Sequence, residues 1–267
     1  KIIHTEASPH WGGQEIRIFE EMKWFRQQGH EMILVAPDNG TLYKRCKEEG
    51  FKVISVYFTK PRTLLNIFKM LWIIWQKKPD VVGTHSSTDS WAGLIAAYLL
   101  KIKKRVRYRH ISAPVKRNFL NKLQYSTLAN FIITTGKCIK NILIENLKIN
   151  QNKIHVLATP VRNNSDLPSK EEARRLLQKE LNLGEDARFI GQVSVLRGWK
   201  GHPFLFEAFY DIASSYPNLH LVIVGNGSMM KSLQDRKLSS SFCNRIHLVG
   251  HKDNVHLYFR AFECAIL

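Results

Sequence analysis

The sequence of 267 residues has few cysteines and no long apolar run, and each shortage excludes a class of protein. Its four cysteines, Cys46, Cys138, Cys243 and Cys264, are scattered, without a CxxC pair or a Cys/His cluster. This argues against structural zinc and for reduced thiols in the cytosol. No apolar run reaches the ~18 residues typical of a membrane-spanning helix. The first residues, KIIHTEAS, have the pattern of a strand, so we expect no signal peptide.

Acidic residues are scarce relative to basic ones, and the imbalance is uneven. The net charge is +18, from 40 Lys and Arg against 22 Asp and Glu. Up to Pro160 the chain carries 26 basic and 11 acidic residues, a net of +15, whereas the remainder carries only +3. The first part should therefore be attracted to an anionic partner, such as a membrane surface, a nucleic acid or a phosphorylated substrate.

Strand and helix patterns alternate along the whole chain, without repeats or low-complexity tracts, which predicts an α/β fold. The irregular stretch Thr159–Pro168, with Pro160, Asn163 and Asn164, predicts a linker. We therefore divide the chain into domains 1–160 and 161–267. In the first helix we expect Ile16, Phe19, Met22, Trp24 and Phe25 to lie largely inward.

The stretch Phe189–Phe209 organises the second domain. A short apolar strand is followed by a tight basic loop with Arg197 and Lys200, and then by a helical spacing of apolar residues. Ligands of open α/β sheets lie at the carboxyl ends of the strands, so this loop is suited to phosphate oxygens. From these residues alone, a solvated turn is an equally good interpretation.

The first domain contains a glycine turn and two histidines at predicted strand ends. Gly12 and Gly13 precede the first helix, but the dinucleotide fingerprint GxGxxG is absent, and a glycine pair alone favours simple chain reversal. His85 and His110 each follow a predicted strand. A single histidine is more often structural than catalytic, whereas two at adjacent strand ends are more suggestive of chemistry.

The segment Leu64–Lys77 is very apolar and is flanked by Lys60, Arg62 and Lys78. It is too short to span a bilayer. It could pack in the core, or it could lie at a membrane interface with Trp72 and Trp75 at headgroup depth. Packing in the core is the better expectation for most of it.

Short motifs recur in a fixed order along essentially the whole chain. They are Gly12–Gly13–x–Glu15, Gly29–His30–Glu31, Pro79–Asp80–Val81–Val82 to His85, Ile154–Pro160, Leu196–Arg197–x–x–Lys200–Gly201, Val224–Gly225–x–Gly227 and Ile246–x–Leu248–Val249–Gly250. Each motif is weak alone, but their order and spacing are fairly specific. Together they resemble the motifs of the retaining GT-B glycosyltransferases of family 4.

This resemblance implies two Rossmann-like domains facing a cleft, an acceptor-side domain first and a nucleotide-sugar-binding domain second. It implies that the donor is a UDP- or GDP-sugar. In the site that the resemblance implies, the donor's pyrophosphate is bound by Arg197, Lys200, Gly12 and Gly13, and the nucleotide lies by Gly225, Gly250 and His251. His110 is then the catalytic residue near the transferred sugar. Glu15 and His85 lie on the acceptor side. The sequence has no Asp-x-Asp, so we expect neither a metal nor another cofactor, and basic side chains would balance the leaving group's charge.

Two departures from the family pattern affect these expectations. The family often has Arg where this chain has Val195, which assigns more of the phosphate role to Arg197. The family's Glu-x₇-Glu motif is expected beyond Leu267, so we expect an incomplete second domain.

The resulting primary hypothesis is a retaining hexosyltransferase acting on a membrane-associated glycan or lipid, as in lipopolysaccharide or cell-envelope synthesis, in the cytoplasm at the inner membrane surface. One alternative is a catalytically inactive, truncated remnant or binding module of the family. A second is a nucleotide-sugar epimerase of the same fold. Nucleic-acid binding is a weaker alternative, because the basic residues are spread over several helices and no nucleic-acid motif is present.

Overall fold

The computed structural model describes residues 1–160 and 167–267. The chain divides into two compact units, Lys1–Val161 and Arg162–Leu267. Asn163 and Asn164 of the predicted linker lie outside the described residues, and the boundary between residues 160 and 161 stays a prediction. No helix in the described part of the chain is both long and apolar enough to cross a membrane.

The first unit is a parallel sheet of seven strands in the order β3-β2-β1-β4-β5-β6-β7. The strands are β1 (Ile2–Thr5), β2 (Met32–Ala36), β3 (Lys52–Ser55), β4 (Val81–Thr84), β5 (Lys104–Arg109), β6 (Phe131–Thr134) and β7 (Ile154–Val156). The helices are α1 (Gly13–Gln27), α2 (Thr41–Glu48), α3 (Thr63–Lys77), α4 (Ser87–Leu99), α5 (Phe119–Leu123), which continues as a π-helical turn (Gln124–Leu128), and α6 (Lys137–Leu147).

The second unit is a parallel sheet of four strands in the order β10-β9-β8-β11. The strands are β8 (Arg188–Val193), β9 (Leu219–Val224), β10 (Ile246–Gly250) and β11 (Phe262–Ala265). The helices are α7 (Lys170–Glu180), α8 (His202–Ala213), α9 (Met230–Leu238) and α10 (Val255–Ala261). The predicted α/β fold class is therefore confirmed.

The strand order places a crevice in each sheet. Because helices cover both faces of a parallel sheet, its central strands are nearly continuous apolar runs, and every residue of β2 is buried. In the first unit the order reverses between β1 and β4, and in the second between β8 and β11. Ligands of such sheets bind beyond the carboxyl ends of the strands at these reversals. The loops that follow β1, β4 and β8 are therefore the places to look for a site.

Helix α1 is rotated relative to the face that we predicted. Met22 is buried as expected, but Ile16 and Trp24 are 42% and 54% exposed. Ile18 is buried in their place, beside the buried polar residues Glu15 and Arg17. The prediction for Ile16 and Trp24 was wrong because it counted apolar residues only, whereas the polar partners of Glu15 and Arg17 also orient the helix.

Helix α3 is only half in the core. Met70, Ile73 and Ile74 are buried in the main apolar cluster of the first sheet, as expected. Ile67 and Leu71 are half-buried against the same cluster. The expectation that most of the segment is buried was wrong, because five of its large apolar residues are exposed: Leu64, Leu65, Phe68, Trp72 and Trp75. The helix packs on the sheet and α4 with one side, and 15 residues wind around all sides of a helix.

Candidate functional site

The basic loop after β8 is held in place by its own backbone and by a buried glutamine. Gln192 is buried in β8, and its Nε2 atom donates a hydrogen bond to the carbonyl oxygen of Lys200 at 2.8 Å. Gly201 has φ of +74° and allows the chain to turn into α8. Arg197 and Lys200 are both exposed, and the Arg197 guanidinium lies 5.4 Å from the ring centre of Trp199. The loop therefore presents two cations beside the N-terminus of a helix.

The glycines after β9 pack directly against this loop. A Cβ atom at Gly225 would lie 1.9 Å from the carbonyl oxygen of Ser194, and one at Gly227 would lie 2.4 Å from that of Leu196. Both glycines have positive φ, +139° and +158°. Only glycine fits at these two positions, because any side chain would collide with backbone. Close packing of the two loops thus explains both glycines without a ligand.

The turn after β10 lies beside the turn after β9 at the carboxyl edge of the second sheet. The backbone N–H of Gly225 donates to the carbonyl oxygen of Gly250 at 2.8 Å. Gly250 has φ of +72°, and the side chain of His251 is 67% exposed beside Asp253. Three adjacent loops at one edge of the sheet therefore carry the residues for which the family resemblance implied phosphate and nucleotide contacts: Arg197, Lys200, Gly225, Gly250 and His251.

Three histidines form a hydrogen-bonded chain at the carboxyl edge of the first sheet. The Nδ1 atom of His4 in β1 lies 2.7 Å from Nε2 of His85, and Nδ1 of His85 lies 2.9 Å from Nε2 of His110. The rings of His85 and Tyr108 stack with centroids 4.2 Å apart. We call His4, His85 and His110 the histidine chain. Sequence analysis paired His85 with His110 but missed His4, which lies within a predicted strand.

Burial keeps the histidine chain neutral. It lowers the pKa of His4 from its usual 6.5 to about 4 and that of His110 to about 3, with nearby Arg17 and Arg107 adding to the effect at His110. The pKa of His85 is also well below its usual value, through burial first and the adjacent histidines second. His85 is 2% exposed and both its ring nitrogens are engaged, so it can reach a ligand only through His110.

The loop after β1 is organised by the buried carboxylate of Glu6. One oxygen of this carboxylate accepts hydrogen bonds from the backbone N–H groups of Ala7 and Ser8, each at 2.8 Å, and the other accepts from Gln14. Burial raises the pKa of Glu6 despite these bonds. The sequence offered no sign of this role, because an acidic residue at the end of a strand is ordinarily exposed.

The glycine turn is capped by Glu15. One oxygen of Glu15 accepts a hydrogen bond from the backbone N–H of Gly12 at 2.9 Å and so begins α1. Glu15 is 6% exposed, so it shapes the turn more than it faces solvent. A Cβ atom at Gly13 would meet nothing within 4 Å, which leaves space above the turn.

Two buried charged residues that bond to the backbone of His85 were not predicted, Asp89 and Arg107. Asp89 accepts hydrogen bonds from Thr5 and from the backbone N–H of His85, the latter at 3.0 Å. Burial, and then Glu6, raise the pKa of Asp89 to about 7. Arg107 is also buried, and it donates to the carbonyl oxygen of His85 at 2.8 Å. These groups hold the loop after β4, and with it His85, in place.

Two protein-family models match the chain. A model described as Glycosyltransferase Family 4 matches residues 11–164, and one described as Glycosyl transferases group 1 matches residues 173–267. The chain belongs to this family of glycosyltransferases. The family resemblance inferred from the motifs is therefore confirmed.

Two curated relatives match the glycosyltransferase chain at 25% identity. One is an uncharacterized glycosyltransferase of Methanocaldococcus jannaschii, aligned over 77% of this chain. The other is a UDP-Gal:alpha-D-GlcNAc-diphosphoundecaprenol alpha-1,3-galactosyltransferase of Escherichia coli, aligned over all of it. The chain spans about half the length of the first relative (53%) and 73% of the second.

Solved structures share the fold of this glycosyltransferase. A glycosyltransferase of Rickettsia africae has a TM-score of 0.79 at 19% identity, covering 99% of this chain and 71% of that one. The Anabaena protein HepE in complex with UDP has a TM-score of 0.77 at 16% identity, covering 99% of this chain and 73% of that one. The predicted GT-B class, with two Rossmann-like domains, is confirmed.

Proposed function

We propose that the protein transfers a hexose-like sugar from a nucleotide-sugar to a membrane-associated glycan or lipid, with retention of the anomeric configuration. The observation that carries this proposal is the group of three loops at one edge of the second sheet, which presents Arg197 and Lys200 beside the start of α8. Family membership supports the reaction class. UDP is the nucleotide that we favour over GDP, because the Escherichia coli relative is named for a UDP-sugar and HepE was solved with UDP.

The proposed role of the basic loop follows from the charge that develops during sugar transfer. The bond from the anomeric carbon to the diphosphate oxygen breaks, and its electron pair stays on the leaving nucleoside diphosphate. Arg197 and Lys200 would neutralise this charge together with the N-terminus of α8, without a metal ion. Gly225, Gly250 and His251 would line the nucleotide position, with Gly225 acting through the shape that it gives the loop.

For residues of the first unit we propose the roles that the family resemblance implies. Gly12 and Gly13 would approach the phosphates with their backbone, since the turn leaves space above Gly13. His110 would contact the transferred sugar as a neutral group, and His85 would act on it through their hydrogen bond. Glu15 would serve the acceptor side mainly by fixing the glycine turn.

Calorimetric titration with UDP and then GDP tests the proposal most directly. We expect saturable binding of UDP, and a loss of at least tenfold in affinity in Arg197→Ala, since a hydrogen bond to a charged group contributes about 1.5–3 kcal/mol. Arg260→Ala is the matched control, because Arg260 is exposed in the last turn of α10, which leads into the amino end of β11. Equal loss in both variants would contradict the assignment to the loop.

The same titration separates the alternatives left by the sequence. A folded protein that binds neither nucleotide would be the inactive remnant or binding module. An epimerase would bind UDP, and it would convert a UDP-sugar to its epimer without an acceptor. Release of UDP that depends on an added lipid-linked glycan would support the transferase.

We further propose that the protein works in the cytoplasm at the inner face of the membrane, in lipopolysaccharide or cell-envelope glycan synthesis. The basic first unit and the undecaprenol-linked substrate in the name of the Escherichia coli relative support this placement. Recovery of the protein with the membrane fraction at low salt, and its release by high salt, would test it.

A further inference from the structure

The outward side of α3 exposes a continuous apolar stripe. Its members, with their exposed fractions, are Leu64 (74%), Leu65 (52%), Phe68 (69%), Trp72 (59%) and Trp75 (66%). At 3.6 residues per turn, all five side chains lie within an arc of about 100°. We call these five residues the α3 face. Exposed apolar patches of this kind mark interaction surfaces in most proteins.

The α3 face cannot turn inward, because the other side of the helix is already fixed. Met70, Ile73 and Ile74 are buried in the core of the first sheet. At the start of the helix, the Nδ2 atom of buried Asn66 donates to the carbonyl oxygen of Tyr57 at 2.9 Å. The exposed stripe is therefore a stable feature of the surface.

The charge of the chain segment that contains the α3 face is almost entirely positive. Between residues 50 and 144 the sequence has 17 Lys and Arg but only two acidic residues, Asp80 and Asp89. Asp89 is buried, so Asp80 is the one exposed carboxylate of this stretch. Exposed cations adjoin the α3 face at both ends and along its side: Lys60, Arg62, Lys69 and Lys78. An apolar stripe with a cationic border complements an anionic lipid surface.

We propose that the α3 face docks the protein on an anionic lipid bilayer, with Trp72 and Trp75 at the level of the headgroups. Tryptophan prefers this depth because its ring is apolar and its N–H is polar. A second copy of the chain is a poorer occupant, because a symmetric contact would place the lysines of one copy against those of the other. The inference deepens the proposed membrane location but does not depend on donor binding.

Vesicle co-sedimentation tests the docking proposal. The vesicles are phosphatidylcholine, alone or with about one third phosphatidylglycerol. The test variant is Phe68→Gln/Trp72→Gln/Trp75→Gln. The matched control is Trp24→Gln/Tyr216→Gln/Leu238→Gln, which removes three large exposed side chains elsewhere on the protein. Circular dichroism and UDP calorimetry on each variant establish that it is folded and that its nucleotide site is unaffected.

We expect the wild type and the control to bind the anionic vesicles, the test variant to bind at least tenfold more weakly, and 0.5 M salt to weaken binding of the wild type. Absence of vesicle binding by folded, monomeric wild type would overturn the proposal. So would a dimer in sedimentation that the test variant dissociates. Loss of UDP binding with vesicle binding intact would count against the proposed transferase alone.

The histidine chain carries a second, independent inference. A neutral imidazole has one N–H and one bare nitrogen, so each hydrogen bond in the chain sets the direction of the next. Two arrangements are possible for the three rings. Either every ring carries its proton on Nδ1, or every ring carries it on Nε2. His110 then presents, at its remaining Nδ1 atom, a donor in the first arrangement and an acceptor in the second.

The buried end of the chain decides between these arrangements. Nε2 of His4 is buried and has no hydrogen-bond partner among the described residues. A buried N–H without a partner is rarer in proteins than an under-used acceptor. There is also little freedom to rotate His4, because its ring is buried and packs against the rings of His85 and Tyr108, with centroids 5.0 and 5.7 Å away. We infer that all three rings are Nδ1–H tautomers, so that His110 donates its Nδ1–H to an oxygen of the ligand, with His4 and His85 as positioning residues.

Long-range ¹H–¹⁵N spectra of the folded protein at pH 7 report each tautomer directly. We expect all three signals in the Nδ1–H pattern, the opposite of the tautomer that a free histidine side chain favours. His110→Gln and His85→Gln assign the signals. In His4→Leu, the Nε2 atom of His85 becomes the buried nitrogen without a partner, so the same rule predicts that His85 and His110 keep the Nδ1–H form. An Nε2–H pattern or a mixture at His110 in the wild type would overturn the inference, whatever the variants do.

Discussion

Gly225 lies against the backbone of Ser194, so closely that a Cβ atom at residue 225 would be 1.9 Å from the Ser194 carbonyl oxygen. The two residues follow β9 and β8, which are neighbours in the sheet. Their contact brings the basic loop and the Gly225–Gly227 turn together. The shape of the proposed nucleotide site therefore depends on a missing side chain.

Gly225→Ala should lose stability and nucleotide binding together. The new methyl group would force the two loops apart and would occupy a backbone conformation with φ of +139°. We expect the free energy of unfolding to fall by about 2 kcal/mol or more, measured by urea denaturation. Gly13→Ala is the control, since its Cβ has free space at a helical position, and its stability should stay within ~0.5 kcal/mol of wild type. Similar losses of stability in both variants would contradict the steric explanation.

Gln192→Leu should weaken UDP binding without unfolding the protein. The variant removes the 2.8 Å hydrogen bond that holds the Lys200 carbonyl, so the proposed phosphate loop becomes less ordered. Stability should change little, because the buried Oε1 atom of Gln192 has no partner among the described residues and its removal offsets the lost bond. Calorimetry should show an affinity about 2–10-fold lower. An unchanged affinity would mean that Gln192 does not act on the site.

The histidine chain predicts a specific sensitivity to acid. The pKa of His4 is about 4 in the folded protein against 6.5 when exposed, so between these values the unfolded chain binds more protons. The contribution of neutral His4 to the free energy of unfolding is fully present above pH 6.5 and is lost as the pH falls toward 4. The wild type should lose roughly 3 kcal/mol more than His4→Leu between pH 7 and pH 4. Parallel pH profiles of the free energy of unfolding would contradict this.

Asp89 predicts the opposite dependence at higher pH. Its pKa is raised to about 7 in the fold, so its contribution is complete below its usual pKa of 3.8 and is lost as the pH rises through 7. In Asp89→Asn the amide oxygen can accept from Thr5 and the His85 N–H as the carboxylate does. Between pH 6 and pH 9, urea denaturation should show a smaller fall in the free energy of unfolding for the variant than for the wild type. A larger loss in the variant would contradict the raised pKa.

The sequence predicted the elements and the loops of the second unit well. The basic loop and the glycine turns are local features, since each combines a strand end with residues whose charge or conformation is special. That Gly225 packs on Ser194 could not be predicted, because the contact depends on the spacing of two strands. The family resemblance implied a ligand role for Gly225, and the structure adds a steric reason for a glycine at this position.

The first unit was predicted less well because its site depends on buried polar groups. Charged residues ordinarily lie at the surface. Glu6, Asp89 and Arg107 are nevertheless all buried and hydrogen-bonded. Patterns of apolar residues carry no information about such partners, which come from separate strands and helices. For the same reason the exposure of the α3 face was not predicted. Its side chains are as apolar as those of core residues, yet they are exposed.

Arg17 provides a final test, because it joins α1 to the far side of the first sheet. Its Nε atom donates to Glu21 at 2.7 Å, and Nη1 donates to the carbonyl oxygen of Leu157, which follows β7, at 2.8 Å. Burial raises the pKa of Glu21, and Arg17 opposes this rise. Arg17→Met should cost on the order of 3 kcal/mol in urea denaturation, since it leaves the largely buried carboxylate of Glu21 without its cationic partner. The double variant Arg17→Met/Glu21→Gln should recover part of that loss, because it removes the unpaired charge. If the double variant is less stable than the single one, the ion pair is not the cause.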